Sequence, residues 1–387
     1  MPSLNDLMEM MDALETKAVV TMPTRCVAVR NRNSQCRRCI DVCFADAIEI
    51  EKNELTINAG ACVACGCCIA VCPTQALIPT DPMEEELAHS VAQTVPLAEG
   101  AAVIACARMA ARQTGDPDKY SVVPCLGRME EQLMVELAAR DVNDIVLVDG
   151  TCQTCKYRAA VPAIDDTVDS ARSLLEAVGS QAQITRTSEW PDVVKVEDLR
   201  KAVGAARRDF FTQSGHYAKD VAKSAAEKMV NDKLKQLQLQ KQEKSLRDKL
   251  GVKAGAGKMP TIEADRNLAI LDGMARIGEP VEEEMFTRIF GDVVIDTELC
   301  SGCNMCVMFC PTDALRKGYD THPDEEMQYL EFSVADCTQC NLCVDACLKK
   351  CMEVVPVVSM AELFDFEPRL IEIPKPKKGN KLFNRKR

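Results

Sequence analysis

The stretch that decides the fold is CSGCNMCVMFCP, residues 300–311, which a second run, CTQCNLCVDACL, follows at 337–348. In each run, three cysteines are separated by two residues each, and a fourth cysteine follows after three further residues. Soft thiolates at this spacing wrap an iron–sulfur cubane from one tight loop, while a remote cysteine completes the fourth corner. The two runs together predict a pair of [4Fe-4S] sites near the carboxyl end.

A related pattern near the amino end makes the arrangement an internal repeat. CVACGCCIAVCP, residues 62–73, has the same spacing, but the run before it has Cys36, Cys39 and Cys43 with Asn33 where a further cysteine is expected. Nine residues separate Cys26 from Cys36, enough to bring Cys26 back to a cluster. This first site is open to a [4Fe-4S] cluster completed by Cys26, a [3Fe-4S] cluster, or a non-cysteine ligand.

These spacings resemble those of the bacterial two-cluster ferredoxins, in which the fourth cysteine of each run serves the other cluster. The resemblance implies two ferredoxin-like dicluster modules with four [4Fe-4S] clusters. The ligand sets that it implies are Cys26, Cys36, Cys39 and Cys72; Cys62, Cys65, Cys68 and Cys43; Cys300, Cys303, Cys306 and Cys347; and Cys337, Cys340, Cys343 and Cys310.

Residues 101–188 alternate short apolar runs with helical stretches, which predicts a small parallel α/β unit. The expected strands are AAVIAC, YSVVPC, DIVLVDG and QITRTS, with helices at about 129–140 and 164–178. Cys106, Cys125 and Cys152 follow three of these strands. Because the carboxyl ends of parallel strands share one edge, we expect these thiols and Cys155 to converge there. Four such thiolates suit either a [2Fe-2S] cluster or zinc, and their spacing does not choose between them.

The segment VVPCLGRMEEQLMVELAARDVNDIVLVDGTCQTCKYR, residues 122–158, resembles the delta subunit of methyl-viologen-reducing hydrogenase, with its P-C-x-G-R strand end. That family has a flavodoxin-like domain with a [2Fe-2S] cluster. It passes electrons between a hydrogenase or formate dehydrogenase and the flavin subunit of heterodisulfide reductase. The resemblance therefore implies a [2Fe-2S] cluster here. The sequence departs from the family in having one cysteine in ACARMA and Lys156 in place of a histidine.

Twenty-two cysteines in 387 residues indicate either a disulfide-rich secreted protein or a metal carrier. The first residues lack the basic and apolar regions of a signal peptide, and no apolar stretch is long enough to span a membrane. We therefore expect a reducing cytoplasmic compartment, where clustered cysteines bind metal. Zinc is disfavoured for the ferredoxin-like runs, since zinc sites pair their ligands across a longer loop. Two cysteines, Cys67 and Cys351, belong to none of these ligand sets, and we interpret them as small buried hydrophobic residues near a cluster. Cys67 could alternatively replace Cys68 as a ligand.

A net charge of −12 argues against nucleic-acid binding. Two basic regions, at 228–258 and 375–387, are either solvated or docking segments for an acidic partner. No histidine is paired with a nucleophile, and no nucleotide-binding fingerprint follows a strand. The sequence thus offers no catalytic residue of its own.

We predict a multidomain α/β plus α+β protein in which a helical linker joins the parallel sheet to the second module. Its expected parts are an amino-terminal module (1–85), an α/β domain (98–190), a helical linker region (191–290), a carboxyl-terminal module (291–360) and a basic tail (361–387). A helix over about 196–250 and a glycine-rich linker at 251–260 are expected within the linker region.

The expected function is that of a non-catalytic electron-transfer subunit of an anaerobic oxidoreductase complex. Its partners would be a flavin-containing heterodisulfide-reductase-like subunit, a hydrogenase or a formate dehydrogenase. The alternative is a self-contained oxidoreductase with a redox or metal site at Cys152 and Cys155, since a C-x2-C pair can also act as a dithiol.

Overall fold

The computed structural model describes residues 18–196 and 261–376. All 22 cysteines lie in these ranges as free thiols. The helix expected over about 196–250 and the linker at 251–260 fall outside the described residues. Nowhere in the described part of the chain is a helix both long enough and apolar enough to cross a bilayer.

The amino-terminal module consists of two antiparallel strand pairs and three one-turn helices, each of which contains or directly follows a cysteine. Strand β1 (Val19–Thr21) pairs with β4 (Leu77–Pro79), and β2 (Ile48–Glu51) pairs with β3 (Glu54–Ile57). The helices are α1 (Val27–Arg30), α2 (Arg38–Asp41) and α3 (Cys67–Ala70). Apolar strand residues and cysteines form one shared core, so the thiols themselves fill much of the module's interior.

The middle domain contains the predicted parallel sheet, which the structure confirms. Its strands are β5 (Ala102–Cys106), β6 (Ser121–Val123), β7 (Asp144–Val148) and β8 (Gln183–Thr187), in the order β6-β5-β7-β8. Its helices are α4 (Glu84–Thr94), α5 (Ala107–Ala110), α6 (Glu131–Ala138) and α7 (Val161–Glu176). Strand β5 is buried along its whole length, as expected for the central strand of a parallel sheet covered by helices.

One further helix, α8 (Asp265–Ile277), contacts all three parts of the molecule. A Cβ added at Gly273 would lie 2.8 Å from Val135, so α8 packs closely against α6 of the middle domain. Asn267 donates a hydrogen bond of 3.2 Å to the Cys337 carbonyl in the carboxyl-terminal module, and Arg266 contacts the amino-terminal one. The helix therefore fixes the two modules relative to each other.

The carboxyl-terminal module repeats the antiparallel pairing and adds strands from its flanks. Strand β10 (Asp292–Ile295) pairs with β13 (Met352–Val355), and β9 (Glu284–Phe286) pairs with β14 (Val357–Ser359). A three-stranded sheet has the order β11 (Leu315–Lys317), β12 (Met327–Phe332), β15 (Arg369–Pro374). The helices are α9 (Met305–Phe309), α10 (Leu342–Ala346) and α11 (Met360–Asp365). Strands β9 and β15 fall in the segments that we assigned to the linker region and the basic tail.

Candidate metal centres

The first candidate site, site A, brings together the thiols of Cys26, Cys36, Cys39 and Cys72. Burial and, after it, the charges of the other three thiols raise the pKa of Cys39 to about 12. Cys26 is likewise within electrostatic reach of Cys72 and Cys36. The loop between Cys26 and Cys36 thus returns to the site, which gives it four thiols despite the asparagine at position 33.

Site B consists of Cys43, Cys62, Cys65 and Cys68, which line one cavity with apolar side chains that include Ile48. The loop between Cys62 and Cys68 curves around this cavity because Ala64 and Gly66 have left-handed backbone, with φ of 58° and 83°. Burial and the charges of neighbouring thiols raise the pKa of Cys68. A buried thiol of this kind becomes a thiolate most readily when it binds a metal.

The carboxyl-terminal module repeats both arrangements. Site C comprises Cys310, Cys337, Cys340 and Cys343. Burial and, after it, the charge of Cys310 raise the pKa of Cys340 to about 12. Site D comprises Cys300, Cys303, Cys306 and Cys347, which line a second cavity. Burial raises the pKa of Cys306 to about 12.

Backbone N–H groups point at one thiol of each site. Ala76 N donates to Cys72 in site A at 3.2 Å, and Ala47 N donates to Cys43 in site B at 3.4 Å. In the second module, Leu315 N donates to Cys310 at 3.4 Å and Gly302 N to Cys300 at 3.5 Å. Such hydrogen bonds to cluster sulfur help to set reduction potentials. Buried or partly buried thiols with N–H donors therefore fit iron–sulfur clusters.

The two leftover cysteines each contact a thiol of a site. Cys67 donates a hydrogen bond to Cys65, which lowers the pKa of Cys65 to about 7. Cys351 lies with its sulfur 3.5 Å from that of Cys347. Burial raises the pKa of Cys347, but hydrogen bonds from the backbone and side chain of Cys351 bring it below the ordinary value. Both leftover thiols are thus placed as donors to a neighbouring sulfur.

The edge site lies where strands β5, β6 and β7 end, and one of its four expected thiols, Cys125, is within electrostatic reach of two others. Cys125 interacts electrostatically with Cys106 and Cys152, and Gly150 N donates to Cys106 at 3.3 Å. Cys155 follows Cys152 in the same 3-10 turn, and its sulfur accepts from Tyr157 N at 3.5 Å. The sheet therefore gathers Cys106, Cys125 and Cys152, with Cys155 beside them in sequence.

The middle domain rests directly on site B. Tyr157 donates a hydrogen bond of 3.2 Å to the Val63 carbonyl, in the loop that carries Cys62 and Cys65. Gly127 is required here, because a Cβ at this position would lie 2.3 Å from the sulfur of Cys67. The glycine of the P-C-x-G-R strand end thus allows the edge site and site B to approach each other.

The five sites form one continuous series. Neighbouring sites are linked by pairs of thiols in which the charge of one raises the pKa of the other, in the order edge site, B, A, C, D. The joining pairs are Cys125 and Cys65, Cys68 and Cys39, Cys36 and Cys340, and Cys343 and Cys306. Sites A and C thus lie within electrostatic reach of each other, although they belong to different modules.

A cluster of buried charged side chains lies behind sites A and B. The sequence does not predict it, apart from the arginine of the P-C-x-G-R strand end. Arg128, Glu130 and Arg266 are each less than a tenth exposed. Glu130 accepts from Arg128 and from Arg266, at 2.5 Å in each case. Two guanidinium groups therefore flank one carboxylate in the interior.

Among the described residues, no three histidine, cysteine or acidic side chains are grouped so as to hold a single metal ion. A cubane distributes its ligands over four iron atoms, so its thiolates stand farther apart than those around one zinc ion.

Comparison with known proteins identifies the class of these domains. The 4Fe-4S dicluster domain family matches residues 34–76, and the 4Fe-4S binding domain family matches residues 293–316. A protein named "Ferredoxin 7Fe" from Hydrogenibacillus schlegelii is 32% identical over 68 residues, which are 18% of this chain and 78% of the relative. The chain belongs to the ferredoxins, with iron–sulfur domains typical of electron transport.

Proposed function

We propose that this protein is the electron-transfer subunit of an anaerobic oxidoreductase complex. The observation that carries the proposal is the unbroken series of thiol sites from the edge of the parallel sheet to site D. Sites A to D would each hold one [4Fe-4S] cluster, and such clusters accept and release single electrons when bound. Contact between neighbouring sites allows electrons to pass along the whole molecule.

The ligands of site A would be Cys26, Cys36, Cys39 and Cys72. Their mutual electrostatic contacts support a complete cubane. The alternative is a [3Fe-4S] cluster. The name of the Hydrogenibacillus relative specifies seven irons, which is one iron fewer than two cubanes contain. Substituting Cys26 with serine separates these cases, because a cubane would lose a ligand while a three-iron cluster held by the other thiols would stay intact.

The edge site would hold a [2Fe-2S] cluster on Cys106, Cys125, Cys152 and Cys155. The strand order β6-β5-β7-β8 is that of the first four strands of a flavodoxin-like sheet, with the site at the carboxyl edge where ligands bind. Zinc remains the competing occupant, since it takes the same thiolates. Metal analysis of a Cys125→Ser variant distinguishes them, with a loss of about two irons expected for the cluster.

The partners would be a flavin-containing heterodisulfide-reductase-like subunit, a hydrogenase or a formate dehydrogenase, which would supply the catalysis. The abundance of free thiols supports a reducing, cytoplasmic setting. These partners are inferred from the resemblance of residues 122–158 to the hydrogenase delta subunit.

A second candidate function is favoured by one observation at the edge site. A groove of about 720 Å³ adjoins Cys152 and is lined by Arg158 and Arg186, among others, and this volume lies in the range of small-molecule sites. In this alternative, Cys152 and Cys155 act on a substrate as a redox dithiol fed by the ferredoxin modules.

The test is anaerobic reduction of the full-length protein, followed by electron paramagnetic resonance (EPR). The proposal predicts several reduced cubane signals that broaden one another, together with one signal of the binuclear type. Magnetically isolated signals would contradict the series. Alkylation of the native protein tests the dithiol, since Cys152 and Cys155 react under mild conditions only if they hold no metal.

A further inference from the structure

A cavity of about 270 Å³ opens between α4 and α6, behind the first module. Glu84 and Glu85 line it from α4, while Arg128 and Glu130 line its inner side. Glu84 belongs to an exposed turn, yet its carboxyl group reaches inward to Glu130, which is only 4% exposed. The cavity therefore connects solvent with a buried carboxylate.

Glu84 and Glu130 line the same cavity, and each acts on the other's carboxyl group. Neither ionised carboxylate is a donor, so a hydrogen bond between them forms only when the pair binds one proton. Burial and the neighbouring charge of Glu130 raise the pKa of Glu84 to about 7. Burial also acts to raise the pKa of Glu130, but Arg266 and Arg128 bring it below the ordinary value. Glu84 is therefore the member that carries the proton.

Arg266 connects this pair to site A. One of its nitrogens donates to Glu130 at 2.5 Å and to the Ile69 carbonyl at 3.1 Å. The other donates to the Cys72 carbonyl at 3.1 Å and to the Ala70 carbonyl at 3.3 Å. A single buried guanidinium thus lies between the carboxylate pair and the backbone of a candidate cluster ligand.

Arg128 makes a similar connection to site B. A Cβ at Gly66, between Cys65 and Cys68, would lie 2.7 Å from the Cβ of Arg128. Two of the three side-chain nitrogens of Arg128 have no hydrogen-bond partner. Its positive charge is therefore balanced mainly by Glu130.

The remaining charged groups around the pair are largely balanced. Glu136 lines the cavity and is paired with Arg140 and Arg276, while Glu131 on α6 is paired with Arg288. Glu85 stands at the exposed rim, where solvent screens its charge. The charge balance of the interior thus depends on Arg128, Glu130, Arg266 and the proton on Glu84.

We propose that the Glu84–Glu130 pair takes up one proton from solvent when the cluster held by site A gains one electron. This inference rests on the proposed function. The electron comes from a low-potential one-electron donor and the proton from water, and both leave again on oxidation. An added negative charge about 10 Å away lowers an acid dissociation constant roughly tenfold in a medium of effective dielectric constant near 20.

The experiment is an EPR-monitored potential titration of the full-length protein with titanium(III) citrate between pH 6 and pH 9. The site A signal is identified as the one that Cys39→Ser removes. Its midpoint potential should fall with rising pH by about 59 mV in total, which corresponds to the tenfold change. Glu84→Gln should abolish this fall, while Glu85→Gln, the same change on the exposed rim, should preserve it.

Difference infrared spectroscopy of the unmodified protein supplies a second readout. At pH 7.5, reduction should produce a protonated-carboxyl band that is absent from Glu84→Gln. The inference would be overturned if the potential of the site A signal did not depend on pH, or if the dependence persisted in Glu84→Gln. Either result would leave the proposed electron-transfer function intact. The absence of any cubane signal would instead overturn the proposed function, and the inference with it.

Discussion

The thiol of Cys36 lies within electrostatic reach of the thiol of Cys340, and its charge raises the pKa of Cys340. These cysteines belong to different modules, so the contact joins sites A and C across the interface. Two hydrogen bonds hold the modules together at this point: Arg38 donates to the Gln339 carbonyl, and Gln35 N donates to Asp345, each at 2.8 Å. The two modules are thus joined at the point where sites A and C approach each other.

Removing the Arg38 side chain should weaken the coupling between the clusters of sites A and C at this interface. The Arg38→Ala change deletes a charged hydrogen bond, at an expected cost of about 1.5–3 kcal/mol. We expect weaker magnetic broadening between the clusters of sites A and C in the reduced protein, measured by EPR. Arg37→Ala is the control, because Arg37 pairs only with Asp41 in its own helix turn and its side chain is 64% exposed. Equal broadening in both variants would show that Arg38 does not hold the interface.

The adjacent cysteines 67 and 68 should behave differently when substituted. Cys68 interacts with Cys62 and Cys43 of site B, whereas Cys67 is a donor to Cys65 and lies against Gly127. Cys68→Ser should therefore lose about four irons per chain. Cys67→Ser should keep the full iron content with a shifted site B potential. Iron analysis decides the assignment, and a loss confined to Cys67→Ser would reverse it.

Introducing a side chain at position 127 should separate the middle domain from the first module. In Gly127→Ala, the new Cβ would overlap the sulfur of Cys67, which is fully buried. Overpacking of this kind costs about 1–3 kcal/mol, so the melting temperature should fall by several degrees. In the control, Gly60→Ala, the nearest atom is an asparagine oxygen at 3.4 Å, and little change is expected. An unchanged melting temperature in Gly127→Ala would contradict the close approach.

The protonation of Glu84 should also make stability depend on pH. Its pKa is raised from 4.5 to about 7 in the folded protein, first by burial and then by Glu130. The folded state therefore binds this proton more tightly than the unfolded state does. The resulting stabilisation is fully present below about pH 4.5 and is lost as the pH rises through about 7.

Relative to Glu84→Gln, the wild-type protein should thus lose stability between pH 5 and pH 8. Thermal unfolding of both proteins across this range measures the effect. Parallel curves for the two proteins would show that Glu84 does not titrate in the folded state.

Local features of the fold could be predicted well from the sequence. The runs AAVIAC and DIVLVDG correspond to β5 and β7, because uninterrupted apolar segments are typical of buried parallel strands. Strand β15 was missed, since its residues alternate between partly buried and exposed in a segment next to a basic tail. The expected ends of helices α6 and α7 differed from the observed ones by two to three residues, as is normal for helix termini.

The candidate sites could be predicted only in part. In each of sites A to D, three thiols come from one short segment and the fourth from the sister run, so cysteine spacing together with the ferredoxin resemblance predicts the sets, including the return of Cys26 to site A. The contact of Cys36 with Cys340 and the position of Arg266 could not be predicted. Both depend on how α8 packs between the modules, and no local sequence pattern predicts such packing between distant segments.

The central claim is that thiolate sets in this chain hold iron–sulfur clusters, and metal analysis of the anaerobically purified protein tests it most directly. We predict about eighteen irons per chain with a matching amount of acid-labile sulfide, from four cubanes and one binuclear cluster; about sixteen would remove only the binuclear one. A colourless protein free of iron, with zinc in the cysteine loops, would contradict the account.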